Sequence, residues 1–280
     1  MVRLILGSLL IFCGAFNVGS GDVSSGAACL VAGGILFYFG YRSWTKGKAE
    51  TYDEPYVHEE LTSFSDTINS IPESAIILSD IKVKRHKLSE LPDFRSTNIT
   101  KASNRDALGS FIAIDTETTG LSPWNDRIIE LSAVRYIDWK PFDRFTTLIN
   151  PERPIPERAS EINGITDDMV ADAPTISQVI PAFQQYLGKY NLVGHNVTFD
   201  LKFLFASGLD LQPAPSRKIY DTLPLSRRVL EKDVQVSDYK LQTLCDYYGI
   251  RPERYAHRSM SDCLATAQLF TIIADQKMWT

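Results

Sequence analysis

Residues 112–121 read IAIDTETTGL, a run of apolar strand-formers ending in two acids, Asp115 and Glu117, with only Thr116 between them. In a strand, residues i and i+2 share a face, so both carboxylates leave this segment on the same side. Held that close they repel, and each raises the other's pKa; a cation between them removes the cost. GHNVTFD puts Asp200 just after an apolar stretch and at the start of a helix-like one, and HRSMSDCLATA puts His257 five residues before Asp262. Singly, each has an ordinary structural reading. Ser259 makes a good N-cap with Asp262 as its N3 acid, Asp200 complements a helix dipole, and His257 is a loop histidine. Together, four acids stand where strands end or helices begin, the edge at which open α/β sheets place their ligands. Converging carboxylates suit hard divalent cations, Mg2+ or Mn2+, which take oxygen ligands. Two such ions about 3.5–4 Å apart stabilise both the attacking and leaving oxygens of an in-line phosphoryl displacement.

The elements that must position these groups lie in 109–280. FIAID, RIIELSAVRYI and RFTTLIN read as three strands, the last two joined by a short turn around Pro141. Helix-like stretches follow at Ser177 to Leu187 and Asp200 to Ser207, with the short strand NLVGH between them. KIYDT is a further strand, and LPLSRRVL, KLQTLCDYYG and SMSDCLATAQLFTIIAD are helical. Three strands followed by alternating helices and strands predict an α/β domain, a mixed sheet flanked by helices.

The ordered set DTETTGL, RIIELSAVR, INGIT, LVGHNVTFDLKFL, YDTL and HRSMSDCLATA, from about Phe111 to Ala274, resembles the DEDDh family of 3′–5′ exonucleases, as in the proofreading epsilon subunit of bacterial DNA polymerase III. The histidine five residues before the last acid fits the histidine branch; the tyrosine branch wants Tyr four before it, where Arg258 stands. The resemblance implies a ribonuclease H-like fold and two divalent cations. Asp115 would bridge both, Glu117 and Asp262 would complete the site of the ion that activates water, and Asp200 would hold the second, largely through water. His257 would be the general base, a task suited to a neutral imidazole. Thr118 and Leu121 would lie against the last nucleotide of the 3′ strand, and His195 and Asn196 would help shape the pocket.

Outside that match the chain differs from the proofreading subunit. No charged residue occurs from Leu4 to Gly21 or from Val23 to Tyr41; Arg3 precedes these runs, and Arg42, Lys46 and Lys48 follow them. Each run is near the ~20 residues that span a hydrocarbon core, and both are rich in small residues that let helices pack closely in lipid. This predicts a transmembrane hairpin over 1–44, two helices with both ends inside, tethering the domain to the cytoplasmic face of a bacterial membrane. A cleaved or single-span form and a buried soluble hairpin are the alternatives. Residues 45–108 read as a connector with an acidic stretch and a basic run, KVKRHK at 82–87, taken as a solvated surface. A short helix around Leu61 to Ile71 and a short strand or helix around Ser74 to Ile81 are expected within it. The connector has no counterpart in the proofreading subunit, which argues against a polymerase partner. Cys13, Cys29, Cys245 and Cys263 show no metal-ligand spacing and read as free thiols.

The net charge of −5 argues against broad electrostatic binding to nucleic acid but not against a local basic patch. The expected partner is single-stranded or 3′-ended nucleic acid, DNA in preference. An RNA-trimming oligoribonuclease and a catalytically silent, membrane-anchored binding protein are the competing readings; five intact site residues argue against the second.

Overall fold

Alternation along β1 (Phe111–Thr118) sends its apolar side chains into two different cores. Phe111 and Ala113 pack with Leu264, Phe270 and Ile273; Ile112 and Ile114 pack with Val179, Phe183, Leu201 and Leu204. A strand covered on both faces reads as a continuous apolar run rather than an alternation, which is why FIAI precedes the acids. Truncating Phe111, which is wholly buried, would cost about 3–5 kcal/mol.

The computed structural model describes residues 69–78, 83–211, 216–230, 236–251 and 258–279. β1 is central. β2 (Ile128–Ile137) pairs with it antiparallel and β4 (Asn191–Gly194) parallel. β3 (Lys140–Leu148) and β5 (Ile219–Asp221) lie outside them, giving the order β3-β2-β1-β4-β5. The short α1 (Arg105–Leu108) leads into β1. α2 (Glu157–Asn163) and α3 (Asp167–Val170) follow β3. α4 (Ile176–Leu187) and α5 (Thr198–Ala206) cover one face of the sheet. α6 (Thr222–Val229), α7 (Leu241–Tyr248) and α8 (Ser259–Trp279) cover the other. The mixed sheet flanked by helices is as expected. INGIT is the stop signal of α2: Gly164 takes φ 70° there, a conformation that costs glycine little.

Two local expectations are corrected. The β2–β3 turn lies at Asp138 and Trp139, both with positive φ, while Pro141 is inside β3. Such a two-residue turn matches strand twist. Its unfavourable Trp is held by tertiary packing: the ring stacks on Phe270, and Arg105 lies over it at 4.8 Å. The basic run is not simply solvated. Arg85 donates to the carbonyls of Ala206 and Pro123, and His86 stacks on Phe205 at 4.3 Å.

The described part of 45–108 covers both edges of the sheet. Ser74 N donates to Arg144 O at 2.8 Å beside β3, and Thr97 N to Ile219 O beside β5. Covered edges resist pairing with other chains. Residues 74–78 form no strand or helix; the expected helix at 61–71 lies mostly outside the described residues. The hairpin assigned to 1–44 lies wholly outside them, and among the described residues no helix is long and apolar enough to cross a membrane. Cys245 and Cys263 are buried free thiols.

Candidate active site

The pleat of β1 divides the polar residues between the two faces. Asp115 and Glu117 follow Phe111 and Ala113 toward α8; Thr116 follows Ile112 and Ile114 toward α5. Asp262 lies in the first turn of α8. One ligand atom from each of Asp115, Glu117 and Asp262 lies within 4.8 Å of the others. Oxygens sharing one Mg2+ at about 2.1 Å are at most about 4.2 Å apart, so a small adjustment of side chains would close the triplet on an ion.

The electrostatics agree with that fit. Among the described residues no Lys or Arg forms an ion pair with Asp115 or Glu117. Burial, then the charges of Asp200 and Asp262, hold Asp115 well above the ordinary carboxylate range. Burial and the charge of Asp262 push Glu117 up to about 8. Only the charge of Arg258 works against that rise at Glu117, and carboxylates kept this close are a cation site by donor chemistry.

Asp200 is buried and stands outside the triplet. Its Oδ1 accepts from Thr116 N at 3.0 Å and Thr116 Oγ1 at 2.7 Å. Burial raises its pKa to about 7 against the lowering effect of those bonds. Thr116, between the two acids, is therefore the residue that fixes the fourth acid against the strand. Only its place in the motif signals this.

The other expected site residues are placed as follows. Asn196 is exposed at φ 59°, its N–H donating to Asp221 Oδ1, which also accepts from Leu223 N at the start of α6. A Cβ on Gly194 would come within 2.5 Å of Val197 Cγ2, so the turn that carries Asn196 requires glycine. His195 is turned into the fold. Nε2 meets the Tyr239 carbonyl, which can only accept, so Nε2 carries the proton and Nδ1 faces the Thr222 hydroxyl. Burial lowers its pKa to about 4. Thr118 donates its hydroxyl to Gly120 O within the β1–β2 loop, and Leu121 on that loop is 84% exposed. His257 lies outside the described residues.

Ser259 does not cap α8 with Asp262 as its partner; the sequence missed Glu130. This β2 residue is 3% exposed and lies directly opposite Glu117. Its Oε2 accepts from Ser259 N and Oγ, both at 2.9 Å, and its Oε1 from Arg258 Nη2 at 2.6 Å. Glu130 thus supplies the anion at the helix N-terminus, while Asp262 faces Asp115 and Glu117. A bulge beside it sends the extra residue, Ile129, into the small core under α2 and α3. An acid inside the apolar run RIIELSAV was the available signal. Removing one partner of a buried pair costs about 3–5 kcal/mol. With Arg258 43% exposed, Glu130→Ala is expected to cost roughly 2–3 kcal/mol after allowance for solvent screening. Chemical denaturation checks this, and an unchanged midpoint would show that Glu130 does not hold α8.

Residues 112–270 match the family described as Exonuclease. The chain is 37% identical over 172 residues to "DNA polymerase III PolC-type" of Caldanaerobacter subterraneus subsp. tengcongensis, covering 61% of this chain but only 12% of that one. It is 38% identical over 163 residues to "DNA polymerase III subunit epsilon" of Treponema pallidum, covering 58% of this chain and 75% of that one. The fold matches E. coli Exonuclease I in complex with a dT13 oligonucleotide at TM-score 0.53 and 20% identity, over 60% of this chain and 42% of that chain.

Proposed function

The chain belongs to the exonuclease family, and from that premise we propose that it hydrolyses nucleic acid, DNA in preference, from a free 3′ end to nucleoside monophosphates. The observation that carries the reading is the triplet Asp115, Glu117 and Asp262 at the end of the central strand. Asp115, Glu117 and Asp262, with Asp200 beside them, would hold two divalent cations, Mg2+ or Mn2+. Such ions supply Lewis-acid stabilisation of the attacking and leaving oxygens.

The protein's own part is positional. Thr116 keeps Asp200 against β1, and Glu130 keeps Asp262 against the acid pair. His257, directly before the anchored Arg258, takes the proton from the attacking water. Leu121 and the backbone at Thr118 meet the terminal nucleotide, and exposed Asn196 stands at the rim. His195, with both ring nitrogens engaged, would shape the pocket by holding the β4 turn. The test is a 5′-labelled oligomer offered with Mg2+ or Mn2+, in matched DNA and RNA. Shortening from the 3′ end with release of monophosphates is expected; full activity in excess EDTA, or efficient cutting of circular single strands, would overturn the reading.

The tether belongs to the same proposal and rests on the uncharged runs 4–21 and 23–41 flanked by Arg3 and Arg42. The exonuclease domain would face the cytoplasm, acting without a polymerase. The full chain should sediment with membranes and resist carbonate extraction, whereas recovery in the supernatant would remove the tether. Co-purification of a polymerase with the tagged chain would reverse the stand-alone assignment.

A further inference from the structure

We propose that Arg85, Arg127 and Arg153 form a second contact for the phosphodiester backbone, beside the acid cluster on the β1–β2 loop. The three side chains come from separate stretches of chain and meet on three carbonyls within residues 123–126. Arg85 Nη2 donates to Pro123 O at 3.1 Å. Arg127 Nη1 donates to Asp126 O at 2.9 Å and Asn125 O at 3.3 Å, and Arg153 Nη1 shares Asn125 O at 2.8 Å. Neutral carbonyls fix where a guanidinium sits but leave its charge uncompensated.

The charge is what the loop leaves open. Arg95, Arg105, Arg135, Arg144 and Arg258 each pair with a carboxylate. Among the described residues Arg85, Arg127 and Arg153 pair with none. Two acids adjoin these arginines in sequence: Asp126 turns inward, its Oδ2 accepting from Ser122 N at 2.8 Å, and Glu152, next to Arg153, forms no ion pair among the described residues. Burial and the charge of Arg127 both lower the pKa of Arg85, so these cations repel one another. An anion that visits the loop relieves that repulsion. Guanidinium groups suit phosphate because each presents five donors in a fixed fork, and only one or two per arginine are used here.

Position selects the anion. Thr119 N donates to Arg127 O at 2.8 Å, and Arg127 N to Thr119 Oγ1 at 3.0 Å. Arg127 is thus tied two residues beyond Glu117, about 7 Å along the strand. A polymer of phosphates whose end reaches the acid triplet is thereby within reach of this loop. The choice of nucleic acid over another polyanion rests on the exonuclease reading above.

The alternative role for these arginines is purely to brace the loop. The double variants Arg127→Gln/Arg153→Gln and Arg127→Lys/Arg153→Lys separate the two, read on a thymidine oligomer and on thymidine 5′-(p-nitrophenyl phosphate), which has a single phosphate. With Gln, the ratio of kcat/KM on the oligomer to that on the ester should fall on the order of tenfold at low salt, through KM. The log–log dependence of oligomer kcat/KM on salt should flatten by roughly 1.4–1.8, at about 0.7–0.9 per phosphate contact. Lys should keep most of the salt slope. Parallel loss on both substrates, an unflattened slope, or Lys behaving as Gln would overturn the site. If the double Gln variant fails to melt cooperatively, Arg153→Gln alone, at an exposed position, carries the test with about half the change in slope. A wild-type chain that cut neither substrate would defeat the exonuclease reading instead, and oligomer anisotropy against salt would still decide this site.

Discussion

Replacing Asp115 with Asn is expected to abolish hydrolysis while making the metal-free protein more stable. Loss of an outer partner of a metal ligand costs about 10–100-fold. A carboxylate shared by two ions should cost more, on the order of 10³-fold or greater. The stability gain follows from linkage. Asp115, Glu117 and Asp200 have folded pKa values raised above their unfolded ones, chiefly by burial. Their contribution is fully present below the unfolded values and is lost as pH rises through the folded ones, about 7 for Asp200 and about 8 for Glu117. His195 has the opposite sign: lowered to about 4 by burial, it contributes stability above its ordinary 6.5 that is lost as pH falls toward 4.

In EDTA the wild-type melting temperature should therefore drop as pH rises from about 6.5, above which His195 no longer offsets the acids, to about 8. Mg2+ or Mn2+ at a hundred times Kd should restore about 2.7 kcal/mol, roughly 5–10 °C for a domain of this size. At one fixed metal concentration the restoration should be larger at pH 8 than at pH 5. Asp115→Asn should melt higher than wild type in EDTA and gain little from metal. Scanning calorimetry with and without EDTA reads all of this. Full activity in the variant, or a metal-induced shift equal to that of wild type, would remove Asp115 from the metal site.

The parts legible in the sequence are those with a local cause. β1 shows as an apolar run because both its faces are covered, and Asp115 and Glu117 fall on one side by strand period alone. Mixed sheet and flanking helices followed from the order of periodic segments. What could not be read depends on contacts remote in sequence. Glu130 meets Ser259 across 129 residues and Thr116 meets Asp200 across 84, and neither partner signals the other. Ser259 looked like an N-cap because its type favours one; a buried acid from β2 takes its N–H and hydroxyl. Trp139 in a positive-φ turn likewise contradicts local preference and is retained by the aromatic packing around it. His195, read as a pocket residue, proved to have both nitrogens occupied by groups 27 and 44 residues away.

His257→Ala is expected to separate base from ligand. The four acids remain, so the melting shift produced by Mg2+ or Mn2+ should match wild type, in contrast to Asp115→Asn. Loss of a general base typically costs ~10²–10⁴-fold in rate, and it should appear in single-turnover kcat with KM little changed. The wild-type rate should fall at acid pH as the imidazole takes up a proton and can no longer accept one; the variant should lose that limb. Glu130 gives a second handle, because it clamps Arg258, the residue next to His257, at 2.6 Å. Glu130→Gln keeps the shape but not the charge that holds the guanidinium. It should lower kcat and leave the acid limb in place, since the imidazole is still present though less well placed. Added imidazole should partly restore His257→Ala and leave Glu130→Gln unaffected. If His257→Ala instead abolished the metal-induced shift while sparing the single-turnover rate at saturating metal, His257 would be a ligand, and assignment to the histidine branch would fail.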